Sequence, residues 1–146
     1  MAVTGTHTKT FLAELYEGEH DVLTASALTI VLMKTTFDPD THAHEVYTDL
    51  SAHEIDAGNG YVKNDKALTT VAVNVAGANP LITCDNVSWT ASGGAIETCK
   101  GACVISDLHA SKTVVGYIDF GANYATGDGT MLTINFSNGL MQAEIV

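Results

Sequence analysis

The chain has 146 residues, enough for one domain and too few for two ordinary ones, and its 46% apolar content excludes a disordered tail. Seventeen acids face six lysines and no arginine, a formal charge of −11. That balance argues against gripping phosphate backbones or docking on an anionic membrane, and it favours partners with basic surfaces.

The opening MAVTGTHTKTF has no basic region followed by an apolar run, so synthesis in a cytosol without an export signal is expected. KTFLAELYEG then puts Phe11, Leu12, Leu15 and Tyr16 on one helical stripe, with Thr8 or Thr10 as cap and Gly18 as stop. A two-turn helix of this kind is held by docking, and residues 1–22 read as a helical arm packed on the domain. ASALTIVLMKT is a strand apolar on both faces, which places it centrally. TFDPDTHAHEVYTD is a polar, proline-punctuated excursion, and Ser51 to Glu54 fits a capping box that opens a helical turn.

From Lys66 the pattern has period two. Val71, Val73 and Val75 share a face, and Val87, Trp89 and Ala91 alternate with polar residues. Ala102 to Ile105 is a short strand. Val114, Ile118 and Phe120 share a face, as do Leu132, Ile134 and Phe136, and Met141, Ala143 and Ile145 end in the same style. The turn signals between them are Ala-Gly-Ala-Asn-Pro, Ser-Gly-Gly, Gly-Asp-Gly and Ser-Asn-Gly. Short strands at this spacing predict one mainly β domain over residues 1–146, an antiparallel, jelly-roll-like β-sandwich with a short N-terminal helical segment.

Motifs that would carry chemistry are weak. Gly58-Asn59-Gly60 lacks the lysine and following helix of a phosphate loop and reads as a tight turn that sets Tyr61 against its neighbours. Asp38, Asp40, Asp56, Asn59 and Asp65 are too irregular for a calcium loop. His42 and His44, if locally extended, point the same way about 7 Å apart, and Glu45 or His53 would complete a metal set. A hydrolase elbow is missing, and Cys99 or Cys103 with His109 has only Lys100 nearby to favour a thiolate. Cys99 and Cys103 would sit about 13 Å apart on one strand, too far for a disulfide. A bridge from Cys84 to either stays open beside the free-thiol reading. No catalytic, cofactor or metal residue is assigned. Trp89 reads as a core anchor; Tyr61 is expected to pack its ring and reach a neighbouring backbone with its hydroxyl, or to serve a subunit contact.

The segments FLAELYEGEHD, LTIVLM, THAHEVYTDLSAHEIDAGNGY, NVSWTASGG, GACVISD, VVGYIDFG and GTMLTINFSNG occur in that order. Together they resemble a family of small tailed-bacteriophage proteins encoded among virion genes and described as structural or tail-fibre-like, over nearly the whole chain from Phe11 onward. The chain departs from that pattern where Val62-Lys63-Asn64-Asp65 replaces a glycine pair, and at Cys99 and Cys103, where small or aliphatic residues are expected. The resemblance implies a virion structural protein made in the host cytoplasm, with no catalytic residues to carry over. The expected role is capsid decoration, the partners being the major capsid protein and further copies of this chain. The candidate assembly contacts are Phe11, Leu12, Tyr16, Phe37, Tyr47 and Tyr61. A tail-associated fibre or adhesion module, with Tyr47, Tyr61 and Tyr124 as its aromatics, is the alternative, and a metal-dependent hydrolase a remote one.

Overall fold

The computed structural model describes residues 5–18, 20–24, 27–40, 42–75, 81–136 and 139–142. In chain order these form β1 (Gly5–His7), α1 (Lys9–Tyr16), β2 (Leu28–Lys34), α2 (Tyr47–Leu50), β3 (Lys66–Ala67), β4 (Ala72–Asn74) and β5 (Leu81–Thr83). β6 (Val87–Thr90), β7 (Ile96–Ser106), β8 (Val114–Thr126), β9 (Met131–Ile134) and β10 (Met141–Gln142) follow. The protein is mainly β, with antiparallel sheets. One sheet has the order β1-β8-β7-β2-β3; β10-β5-β4 and the pair β6-β9 are smaller.

β2 lies between β7 and β3, as its two-sided apolar pattern predicts. Leu28, Ile30 and Leu32 enter the larger core, while Val31 and Met33 enter a smaller one on the opposite face. Every one of these side chains is at most 1% exposed, so each contributes about 1.5–3 kcal/mol of apolar burial. The second face is closed by the polar excursion itself, which folds back and inserts Phe37 and Leu50 over Val31, Met33, Cys103, Ile105 and Val114.

β7 and β8 are longer than their sequence pattern suggests, because irregularities interrupt its period. Val104 faces Gly116 and Ile105 faces Val114, so Val115 is the extra residue of a bulge. The bulge turns Val114 into the smaller core and Val115 into the larger one with Ile118 and Phe120. The expectation that Val114 shares their face is thereby corrected. A register shift between Cys99 and Gly101 likewise sends Cys99 and Cys103 to opposite faces, although they are four apart.

The small sheets turn their apolar residues onto the larger core: Val87, Trp89, Leu132, Ile134 and Phe136 are buried there, with Ile82 and Val71 partly so. β4 is exposed along its whole length. Val71 is partly buried against the larger core, but Val73 is 46% and Val75 73% exposed. The Ala-Gly-Ala-Asn-Pro turn and the end strand's Ala143 and Ile145 lie outside the described residues.

At the N-terminus Thr8 caps α1, its hydroxyl accepting from the Phe11 amide, and Gly18 ends it with φ +79°. β1, which the sequence does not announce, pairs with β8 from Gly5–Ile118 to His7–Gly116. Thr8 also donates to Val114 O. The Ser51–Glu54 reading is corrected: α2 precedes it, and Ser51 is the helix's C-cap. The α2 entry is instead held by the Asp49 carboxylate, which accepts from the amides of Val46 (3.1 Å) and Glu45 (3.2 Å).

Candidate assembly surface

Three of the six candidate contacts are interior. Phe11 and Phe37 are 1% exposed and Tyr61 2%, so as the protomer stands they fill its cores and cannot meet a partner. Leu12 is half-buried against the larger core, and Tyr47 packs on the rim of the smaller one with Lys112 Nζ 6.0 Å above its ring. Tyr16 ends α1.

The Gly58–Tyr61 turn explains the fate of Tyr61. Asn59 (φ +51°) and Gly60 (φ +93°) occupy the two left-handed positions of a tight hairpin turn, closed by reciprocal 2.9 Å bonds between Gly58 and Tyr61. The turn delivers the tyrosine ring to 6.2 Å from Trp89 and its hydroxyl to the edge of β2. β3 pairs only with Thr29 and Ile30, so further along β2 needs other partners. Tyr61 OH accepts from Leu32 N (3.0 Å), while Ile55 N donates to Leu32 O and Lys34 N to His53 O.

Beside it lies a fully buried carboxylate, Glu54, which the sequence marks only as the acid of a capping box. Glu54 accepts from Tyr61 OH (2.7 Å) and Asn64 N (2.9 Å) on one oxygen, and from Tyr47 OH (2.6 Å) on the other. Burial, then the adjacent carboxylate, push both phenols well above their ordinary pKa, so they stay protonated as donors. The excursion, the hairpin and β2 are thus pinned by one acid.

A second polar chain anchors the helical arm. His20 lies between Glu14 Oε2 (2.6 Å from Nε2) and Ser106 Oγ (3.0 Å from Nδ1), with the Phe11 ring 5.1 Å and the His109 ring 5.2 Å away. The residue types match a serine–histidine–acid relay, but Ser106 is fully buried and the histidine side chain is sealed. No reacting group reaches the hydroxyl, and the chain of bonds ties α1 to β7.

The segments that meet at His20 are α1, the stretch after it and the turn after β7, and each exposes a leucine: Leu15 (39%), Leu23 (54%) and Leu108 (38%). Glu17 and Asp21, in the first two of these segments, are also exposed. A lone leucine in a polar run is a weak signal, and only the folded chain brings these three segments to one end.

No family model matches the chain, nor does any curated protein or solved structure.

The remaining candidates are dispersed. His42 and His44 are not paired as ligands: the His44 ring accepts from the Asp40 amide at 3.0 Å and packs 5.0 Å from Phe37 and 5.6 Å from His53. Among the described residues, no group of three or more His, Cys, Asp or Glu side chains is placed to hold a metal ion. Asp40, His44, Phe37, Cys103 and Tyr117 line a crevice of about 10 Å³, room for a single water. All three cysteines are free, so the bridges from Cys84 to Cys99 or Cys103 are not formed. Burial raises Cys84 to about 12, with Asp85 adding to it, and Cys99 to about 11; Cys103 is raised further still. Such thiols are poor nucleophiles.

Proposed function

We propose that this protein is a bacteriophage virion structural component, and specifically a capsid decoration protein that binds the assembled head shell. The phage assignment rests on the ordered segments FLAELYEGEHD through GTMLTINFSNG. The observation that carries the assembly role is that the segments joined at His20 each leave a leucine exposed, Leu15 and Leu23 on the arm and Leu108 after β7. Exposed apolar side chains suit burial against another protein, and a chain of charge −11 suits a basic surface on the shell. The expected jelly-roll-like sandwich would serve as a stiff carrier for that surface.

Binding to the assembled shell and not to free subunits stabilises the shell by mass action, with no bond made or broken in the protein. The acid and histidine best placed for chemistry, Glu54 and His20, are spent on holding the arm and excursion in place. A charge of −11 keeps the free protein soluble at high copy number and away from the packaged genome.

The test uses expanded capsids stripped of this protein. Added back, it should bind at a fixed ratio to the major capsid protein and raise the temperature at which shells rupture; Leu15→Glu with Leu23→Glu should abolish both. A few copies per virion, with antibody label on the tail, would replace this reading with a tail component.

A further inference from the structure

We propose that two copies of this chain associate through the outer edge of β4, antiparallel about Val73. The inference rests on the assembly reading for its purpose, but its test does not.

β4 is the outer strand of its sheet, and no described strand runs along its free side. Its backbone is oriented for pairing. Ile82 turns its carbonyl toward β10, accepting from Leu140 N at 2.7 Å. Antiparallel ladders alternate, so Val73, directly opposite Ile82, points its own amide and carbonyl away from β5. An edge presenting both groups from one residue pairs with its own copy about a two-fold axis, Val73 against Val73.

The side chains agree with that axis. Val71-Ala72-Val73-Asn74-Val75 is apolar-symmetric about Val73, so antiparallel pairing sets Val71 against Val75 of the second copy. Val73 and Val75 lie on the face that begins at the partly buried Val71 and continues uncovered. A second copy would extend that face and cover it.

Charge selects the occupant. Each copy carries −11, so most approaches bring acids together. The stretch Ala67 to Cys84 has no charged side chain, the longest such run in the chain. The open edges of the five-stranded sheet are blunted: β3 is two residues long and carries Lys66, and β8 beyond β1 begins with Asp119 and kinks at Gly121 (φ +71°). β4, itself three residues long, has neither a charge nor a kink, which fits an edge that is used.

Sedimentation of the full chain tests the proposal from low to high micromolar concentration, at low and high salt. Wild type should shift from monomer to dimer, more readily in high salt because screening weakens the acid repulsion. Val73→Lys should weaken association at least about tenfold, a 1.4 kcal/mol effect or more. Val73→Thr, which keeps strand preference, should stay close to wild type, with circular dichroism confirming that each variant folds. Val73→Cys should form a 73–73 disulfide between chains under mild oxidation, mapped by mass spectrometry, while Val62→Cys on the exposed hairpin should not. A wild type monomeric under all conditions, a Val73→Lys protein that dimerises normally, or equal cross-linking at Val62 overturns the proposal. If dimers form but stripped capsids bind nothing, the decoration reading fails alone; capsid binding by a strict monomer has the reverse meaning.

Discussion

Replacing Tyr61 by phenylalanine removes one oxygen and disconnects two buried partners. The Leu32 amide loses its acceptor on the edge of β2 that β3 does not reach, and the Glu54 carboxylate loses one of its three donors. An unsatisfied buried amide costs about 1–3 kcal/mol, and a hydrogen bond to an ionised group contributes about 1.5–3 kcal/mol. Both groups are sealed, Glu54 at 0% exposure and Tyr61 at 2%, so water cannot easily replace the hydroxyl. The ring and its Trp89 contact survive, so the lost packing is small. The two terms share one oxygen and do not add in full, so the expected cost is about 2.5–4 kcal/mol. Tyr47→Phe removes only the donor to the other Glu54 oxygen, at a half-exposed position, and should cost about 1–2 kcal/mol. Urea melts at neutral pH with unchanged slope would measure both, and a Tyr61→Phe/Glu54→Gln cycle would give the coupling between them. A Tyr61→Phe loss below about 0.5 kcal/mol, or one smaller than that of Tyr47→Phe, would show that Glu54 is not the pin described here.

Glycine placement gives a steric prediction. A Cβ at Gly60 would lie 2.2 Å from Thr90 O, whereas Gly93, also at positive φ, has open space. Gly60→Ala should therefore cost more than about 3 kcal/mol and Gly93→Ala about 1–2 kcal/mol, read from thermal or urea midpoints; equal losses would refute the close approach. The pH dependence turns on His7, whose burial holds its pKa below 6.5 despite a bond with the Val115 backbone. The folded form stays neutral while the unfolded chain takes up a proton, so stability falls as pH drops from 6.5 toward the folded value and is unaffected above it. His7→Gln should flatten stability between pH 7.5 and 5, with at most about 1.4 kcal/mol per pH unit recovered; a wild-type slope in the variant would contradict it.

Some of this structure is legible without coordinates because local chemistry leaves few choices. Thr8 and Gly18 bracket a helix whose cap bonds are made within four residues. Asn59-Gly60 specifies a tight turn through its tolerance of positive φ. Val87, Trp89 and Ala91 read as one buried face because a strand's alternation needs no partner to define it. Alternation fails where the ladder slips. The bulge at Val115 exchanges the faces of β8, and nothing in VVGYIDFG marks it, since the extra residue is set by pairing with Val104 and Ile105.

The sequence by itself determined a mainly β, acid-rich chain with an amphipathic arm, a two-sided central strand and a tight turn just before Tyr61. Those features come from residue spacing and from glycine and asparagine stereochemistry, which act over a few bonds. Only the tertiary structure decided that Phe11, Phe37 and Tyr61 are interior, that Glu54 and His20 are structural pins, and that Val73 and Val75 stay uncovered. Burial depends on which distant segments meet, and residues as far apart as Glu14, His20 and Ser106 become neighbours only when the sheets close around a shared core.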